Sequence, residues 1–165
     1  MRRRGWWTLT LLVALLVVAV AGFAANFSLS SLEEPGRLES YVALRAKRWL
    51  IARHARNIRI VPGTQQSTAI GQIQFRGSCA ACHGFDGRQP SELGRWMYPR
   101  ASDLGSTEVQ QWSDAELFWI IKNGIRFAGM PGFGKVLSDE QIWPLVHYLR
   151  TLPEEGRSTP GSSPR

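Results

Sequence analysis

The sequence predicts an all-α protein, in which a small helical domain is preceded by a transmembrane helix and a basic linker helix. An apolar run near the N-terminus is long enough to cross a membrane, later segments carry helix-capping patterns, and no stretch alternates as strands do. On these grounds we divide the chain into five parts. They are a cytoplasmic basic N-terminus (1–5), a transmembrane segment (6–27), an exported linker (28–68), a compact domain (69–153) and a disordered tail (154–165).

The apolar run extends from Trp6 to Phe27, which is 22 positions and about 33 Å as a helix. This length spans a hydrocarbon core of about 30 Å. Three arginines precede the run and mark its cytoplasmic side. We therefore expect a single-pass protein of the inner (cytoplasmic) membrane with its domain in the periplasm or at the outer face. A cleaved signal peptide is the alternative, because residues 19–21 read Ala-Val-Ala, a small-x-small cleavage site.

The net charge of +7 is concentrated in one segment of the chain. Positions 37–61 carry seven bases against the single acid Glu39. The bases are Arg37, Arg45, Lys47, Arg48, Arg53, Arg56 and Arg59. Positions 70–153 carry eight bases and eight acids and are neutral. A basic segment beside a membrane anchor indicates contact with anionic lipids, so we expect membrane lipids among the partners and no nucleic acid.

The basic segment is predicted to be a helix over positions 38–60, because it lacks Gly and Pro and has bases along one side. Two interpretations of this helix are open. It lies on anionic lipid headgroups, as basic amphipathic helices do, or it is a solvated helix that only spaces the domain from the membrane.

Three helices are predicted in the compact domain, over 70–78, 117–122 and 142–152. Capping boxes that begin at Ser113 and Ser138 open the second and third of these helices. Pro144 falls early in the last helix, where it removes one backbone donor and bends the axis unless it lies in the first turn.

The only two cysteines, Cys79 and Cys82, are separated by two residues and followed by His83. This spacing is the attachment signature of haem c: each thiol adds to one vinyl group, and His83 is placed to ligate the iron. A zinc site is short of ligands, since His54 and His147 are the only other histidines. A redox dithiol is typical of a βαβ setting, which the sequence around Cys79 lacks. Export and the downstream residues make a chance match a poor explanation.

A second axial ligand is expected from a methionine on the other face of the ring. Met130 stands in Gly-Met-Pro-Gly, where small neighbours let the backbone approach a flat cofactor. Met97 is flanked by Trp96 and Tyr98 and is better explained by core packing, although it remains the alternative. We expect Met130 to bind the iron and His147 to be an ordinary surface or core histidine.

Aromatic residues are abundant around these candidate ligands, and we interpret them as the walls of a haem pocket, with ordinary core packing as the alternative for each one. They are Trp96, Trp112, Phe118, Trp119, Phe127 and Phe133. An iron with both axial positions filled exchanges electrons rather than substrates, and a thioether ligand together with burial raises its potential.

Positions 69–152 resemble the class I (mitochondrial-type) c-type cytochromes, in their membrane-tethered mono-haem bacterial form. Gly71 and Phe75 are similar to the family's N-terminal helix, and Leu145 and Tyr148 to the C-terminal helix that crosses it. Residues 129–131 resemble the methionine ligand loop. The resemblance implies three main helices around one covalently bound haem c.

Two further points depend on this resemblance. Trp112 is similar to the tryptophan that hydrogen-bonds a haem propionate, and we expect that role for it. The family has a proline whose carbonyl accepts the N–H of the proximal histidine, and Pro90 and Pro99 are both candidates.

The resemblance implies a carrier of single electrons in a respiratory or related chain, not an enzyme, with donor and acceptor proteins as partners. Residues 97–104 are weakly similar to a stretch in some membrane-tethered bacterial members. The alternative is therefore a haem redox subunit of a periplasmic oxidoreductase, for example of the thiosulfate-oxidising type. Such enzymes commonly have a second haem motif, which this sequence lacks. A haem-based sensor ranks last, because about five cytoplasmic residues provide no output domain.

Overall fold

The structure, a computed structural model, describes residues 2–26, 30, 32 and 35–152. Phe27, most of the stretch 28–34 and the tail predicted to be disordered (154–165) lie outside the described residues. The chain forms two compact units, Met1–Glu34 and Pro35–Arg165.

The first unit contains the helix α1 (Arg2–Asn26). Its segment Trp6–Ala25, of 20 residues, is long and apolar enough to cross a membrane. Leucine, valine and alanine dominate this segment, and their side chains are exposed within the unit. A signal sequence has the same length and composition, so the helix is consistent with either an anchor or a signal.

The second unit is built from helices joined by loops. They are α2 (Arg37–Ala55), α3 (Gln65–Ser78), α4 (Ala80–His83), α5 (Glu92–Trp96), α6 (Thr107–Gln110), α7 (Asp114–Asn123), the 3₁₀ turn Phe133–Lys135 and α8 (Asp139–Leu149). The described residues contain no strand, only an isolated antiparallel bridge between Ile125 and Met130. The predicted all-α class is confirmed.

The two capping boxes form as the sequence predicts. The backbone N–H of Ser113 donates to the Glu116 carboxylate at 2.7 Å, and that of Ser138 donates to the Gln141 amide oxygen at 2.9 Å. These contacts satisfy N–H groups that have no partner within the helix. They place the first turns of α7 and α8 three residues before the predicted starts.

The predicted start of α3 and the predicted end of α2 are also wrong. Helix α3 begins at Gln65 rather than 70, because Thr64 and Ser67 form a capping box in which each side chain accepts the other's backbone N–H. A serine in place of the usual glutamate hides this box from the sequence pattern. Helix α2 ends at Ala55 rather than 60, where the Ile58 N–H closes a tight turn on the Ala55 carbonyl at 3.0 Å.

The core is built on the packing of α3 against α8. At the crossing, an ideal Cβ on Gly71 would lie 1.9 Å from the backbone oxygen of Pro144, so only glycine permits this approach. One turn along, the rings of Phe75 and Tyr148 are 5.2 Å apart. Pro144 is buried in the interior of α8 and not in its first turn, and the helix continues past it to Leu149.

The basic helix α2 packs against α7 and belongs to the same compact unit as the rest of the domain. Ile51 and Ala55 are buried, and the Arg48 guanidinium lies 4.8 Å from the centroid of the Trp112 ring. Neither interpretation of the basic segment anticipated this packing, which makes α2 an integral element and not a simple spacer.

Candidate functional site

The residues Cys79 to His83 lie on one turn of backbone between α3 and Gly84. The Cys79 N–H donates to the Phe75 carbonyl at 2.8 Å, and the His83 N–H donates to the Cys79 carbonyl at 3.0 Å. Gly84, at a φ of 80°, then ends the turn. Because Phe75 is held in the core against α8, this turn is fixed to the main helix crossing.

Both thiols are free and half-buried. Burial, and secondarily the charge of Cys82, raises the pKa of the Cys79 thiol to about 11. A redox dithiol needs a cysteine with a lowered pKa, so the environment of Cys79 does not suit that chemistry. Among the described residues, no group of three or more His, Cys, Asp or Glu side chains is placed to hold a metal ion, and the zinc alternative gains no support.

The His83 ring is oriented by a backbone carbonyl. Its Nδ1 lies 2.9 Å from the carbonyl oxygen of Ser102, so Nδ1 carries the proton and Nε2 is left as a lone-pair donor. Burial lowers the pKa of the imidazole, and the bond to Ser102 opposes this only in part. Within the described part of the chain, Nε2 has no hydrogen-bond partner. A neutral imidazole with a free Nε2 is the form that ligates a metal.

The expectation that Pro90 or Pro99 provides this carbonyl is wrong, since Ser102 occupies the position. The segment that carries Ser102 is wrapped around the cysteine turn at two more points. The Ser91 hydroxyl donates to the Ala81 carbonyl at 2.5 Å, and a Cβ on Gly94 would lie 2.0 Å from the backbone oxygen of Cys82. Residues 91–102 are therefore tied to the side of the turn that holds His83.

Met130 lies on a loop fixed to the end of α7. Its carbonyl accepts the Ile125 N–H at 3.1 Å, and a Cβ on Gly124 would lie 2.5 Å from the Met130 oxygen. The Met130 side chain is partly buried and packs against the hydrophobic core. The glycines on both sides of this loop allow backbone segments to approach more closely than larger residues would.

Met97 follows α5 and is also half-buried. Its Cε lies 2.4 Å from where a Cβ on Gly129 would be, so its methyl group packs onto the backbone next to Met130. The two candidate methionines are thus neighbours, one on the loop after α7 and one on the segment tied to His83.

The region that carries these residues matches a known protein family. The family model described as cytochrome c oxidase, cbb3-type, subunit III, matches residues 66–149. The chain belongs to this family. The matched region begins just after the Thr64 cap of α3 and ends at the last residue of α8, so it contains every candidate ligand.

Among solved structures, this cytochrome c domain is similar to a chain of the reducing HAO-like protein complex of Kuenenia stuttgartiensis, with a TM-score of 0.53 and 22% identity. The aligned part covers 58% of this chain and 48% of that one, so this chain spans about half the length of its neighbour. At this identity the likeness shows a shared fold. No match to a curated protein reaches significance.

Haem c is the cofactor that a cytochrome c domain implies, and the residues present fit it. Two reduced thiols lie on one turn, an imidazole follows them with its Nε2 free, and a thioether stands on a glycine-flanked loop. These are the donor types by which c-type cytochromes hold haem iron.

Trp112 is buried, but its described contacts are with protein groups. Arg48 stacks on its ring, and its carbonyl accepts a hydrogen bond from Arg150 Nη2. Trp119 and Phe133 are partly buried and pack against the core, and the remaining aromatics differ more strongly. Phe118 is buried and stacks on Trp143 at 4.6 Å, whereas Trp96 and Phe127 are 72% and 89% exposed and contribute nothing to the buried core.

His147 was expected to be an ordinary surface or core histidine, and it is buried in the core. Its Nδ1 is 2.9 Å from the Ser67 hydroxyl and its Nε2 is 2.8 Å from the Val61 carbonyl. It therefore ties α8 to the cap of α3 and to the segment before it. Ser102 and Arg48 are the residues near the site that sequence reasoning missed, and a backbone acceptor such as Ser102 leaves no signal in side-chain identity.

Proposed function

We propose that this chain is a membrane-anchored mono-haem c-type cytochrome that carries single electrons in a respiratory or related chain. Cys79 and Cys82 would form the two thioether bonds, and His83 would bind the iron through Nε2. The observation that carries the proposal is the single turn that presents both thiols and a histidine whose Nδ1 is already committed to Ser102. The chain contains two cysteines in all, which suffices for one haem.

Met130 is the axial ligand that we propose on the other face of the ring. The support is positional. Met97 belongs to a segment whose two ends, at Ser91 and Ser102, are hydrogen-bonded to the turn that holds His83. A ligand from the opposite face is better provided by the separate loop after α7. Trp112 as the propionate donor remains a prediction from family resemblance.

A haem iron with both axial positions filled alternates between ferric and ferrous states and leaves no position for a substrate. The protein's own part would be to hold the His83 ring in one tautomer and to keep the Met130 side chain partly buried against the hydrophobic core. This favours an electron carrier over an enzyme. Nothing in the described residues favours the thiosulfate-oxidising alternative.

The domain arrangement that we propose is a cytoplasmic N-terminus (1–5), an anchor (6–27), an exported linker with a basic helix that packs on the domain (28–68), the cytochrome domain (69–153) and a tail (154–165). The apolar helix and the three preceding arginines support an anchor with the haem domain in the periplasm. The family description makes a terminal oxidase the first electron acceptor to test.

The test is expression of the chain with a c-haem maturation system, followed by a haem stain of the membrane fraction on a denaturing gel. A stained band near 18.5 kDa is expected, because thioether bonds survive denaturation and an uncleaved anchor keeps the full mass. The ferrous protein should have a sharp low-spin spectrum and bind carbon monoxide slowly at neutral pH.

The double variant Cys79→Ser, Cys82→Ser is the matched control and should give no stained band. Haem that stays attached in this variant would overturn the covalent assignment, and rapid carbon monoxide binding by the parent would overturn the electron-carrier proposal. A stained band shortened by the N-terminal segment would retain the cytochrome and replace the anchor with a cleaved signal.

A further inference from the structure

Helix α2 packs on the domain through the buried residues Ile51 and Ala55, and its other large apolar side chains, which include Leu44 and Leu50, are exposed. Successive residues turn by 100°, so Ile51 and Ala55, which are both buried, lie on the inner face. On the opposite side of the helix, about half a turn around its axis, three large apolar side chains are exposed. They are Leu38 at 75%, Val42 at 56% and Trp49 at 62%.

Three arginines share this outward face. Arg45 and Arg53 lie four residues before and after Trp49, and Arg56 lies seven residues after it, all at helical spacing. The Arg53 guanidinium is 5.5 Å from the centroid of the Trp49 ring. We call Leu38, Val42, Arg45, Trp49, Arg53 and Arg56 the outer stripe. The single acid of α2, Glu39, lies at the edge of this stripe, about 40° beyond Arg53 by the same periodicity.

We propose that the outer stripe lies on an anionic phospholipid surface, with its apolar residues in the headgroup layer and its arginines on lipid phosphates. Large apolar side chains next to bases are the composition of helices that lie in the membrane interface. Guanidinium groups bind phosphate oxygens through paired hydrogen bonds, and tryptophan favours the depth of the headgroups.

The membrane anchor of the chain makes a lipid surface the most accessible partner for the outer stripe. The apolar segment of α1 ends at Ala25 and α2 begins at Arg37. The intervening positions 26–36 extend no more than about 40 Å even when fully stretched. An anchor of the kind proposed above would limit the start of α2 to that distance from the end of the span, where an acidic protein would have to compete with lipid.

The functional consequence concerns the haem domain. Because α2 packs against α7, with His54 of α2 in ring contact with Trp119 of α7, binding of the outer stripe to lipid would restrict rotation of the whole domain on its tether. The haem would then meet membrane-bound partners in a limited set of orientations, which raises the frequency of productive encounters.

The test uses full-length holoprotein in nanodiscs of phosphatidylcholine alone or mixed with phosphatidylglycerol. The variant Ala46→Cys places a thiol beside the outer stripe at an exposed position, and Glu108→Cys places one on α6 as the control. The rate of reaction with a neutral, bulky maleimide is measured for each. At position 46 the rate should fall about tenfold or more when phosphatidylglycerol is present, while position 108 should be unaffected.

Charge reversal at Arg45, Arg53 and Arg56 to glutamate, in the Ala46→Cys background, should remove this protection without changing the haem spectrum. High salt should weaken the protection in the parent. Equal rates in the two kinds of nanodisc would overturn the proposal. So would protection that occurs in native membranes but in neither nanodisc, since that outcome indicates an acidic protein partner. The haem spectrum reports separately on the proposed function.

Discussion

His83 Nδ1 lies 2.9 Å from the carbonyl oxygen of Ser102, a residue that reaches it from the far end of the loop after α5. A carbonyl acceptor on the second nitrogen of a ligating histidine fixes the tautomer and makes the ring a stronger donor to the metal. Stronger donation stabilises ferric iron, so this bond should hold the reduction potential below the value that an unbonded ring would give.

We therefore expect the variant Asp103→Ala to raise the potential. The Asp103 carboxylate accepts the Gly105 N–H at 2.8 Å and shapes the turn beside Ser102, so its loss loosens the carbonyl. A rise of about 30–60 mV is expected, which is up to tenfold in a one-electron equilibrium. Potentiometric titration measures it, and proton exchange of the His83 N–H should accelerate in parallel.

Asp86→Ala is the matched control for this variant. It removes the same charge and a similar turn contact, from the Arg88 N–H at 3.0 Å, without touching Ser102. An equal rise in both variants would indicate a charge effect and contradict a role for the Ser102 carbonyl.

Because α3 and α8 cross at Gly71, we expect alanine substitution to change the unfolding free energy in opposite directions at two glycines of α3. Gly71→Ala would place a Cβ 1.9 Å from the Pro144 oxygen, and since both groups are backbone the helices must separate. We expect a loss of about 2–3 kcal/mol of unfolding free energy, measured by denaturant titration of the holoprotein.

Gly77→Ala serves as the control within α3. A Cβ there meets nothing within 4 Å, so the substitution should stabilise the protein by about 0.5–1 kcal/mol through a smaller loss of chain entropy. A similar change in unfolding free energy in both variants would contradict the view that the close approach to Pro144 decides the outcome at Gly71.

Local patterns allowed much of this architecture to be predicted. Ser113 and Ser138 revealed the starts of α7 and α8 because a capping box depends on residues three apart in the sequence. The Cys79–His83 turn was also accessible, since it depends on side chains at fixed spacing, whereas the crossing at Gly71 was implied only by the family resemblance.

Long-range contacts with a weak side-chain signature were not predictable. The Ser102 carbonyl is a backbone atom, which every residue type possesses, and its distance from His83 along the chain hides it. The packing of α2 was equally hidden, because Ile51 and Ala55 are two buried positions in a helix whose other residues are mostly charged or exposed.

Arg150 at the end of α8 joins three elements, and its replacement should be costly. Its Nε donates to the Asp114 carboxylate at 2.7 Å, its Nη1 to the Gln110 carbonyl at 3.0 Å, and its Nη2 to the Trp112 carbonyl. Arg150→Met should cost about 2 kcal/mol of unfolding free energy, because partly buried carbonyls and a carboxylate lose a charged donor.

The exposed ion pair between Lys122 and Asp139 serves as a control for the stability loss expected on replacing Arg150. Its two side chains are 39% and 52% exposed although the charged atoms are only 2.6 Å apart. Solvent screening limits such a pair to less than about 1 kcal/mol, so Lys122→Met should have little effect. Equal costs would contradict the view that the Arg150 contacts organise the α6–α7 junction.

The neighbouring positions of Met97 and Met130 make their separate roles testable. Met130→Ala should leave haem attached but vacate the sixth coordination position, since the thioether that we assign to the iron is lost. The oxidised spectrum should lose its far-red methionine–iron band, the potential should fall, and ferrous protein should bind carbon monoxide rapidly.

Met97→Ala should keep the low-spin spectrum and instead lower stability by about 2 kcal/mol, because its methyl group packs on Gly129. If the two spectra are exchanged between the variants, Met97 is the ligand and the loop of Met130 only supports it.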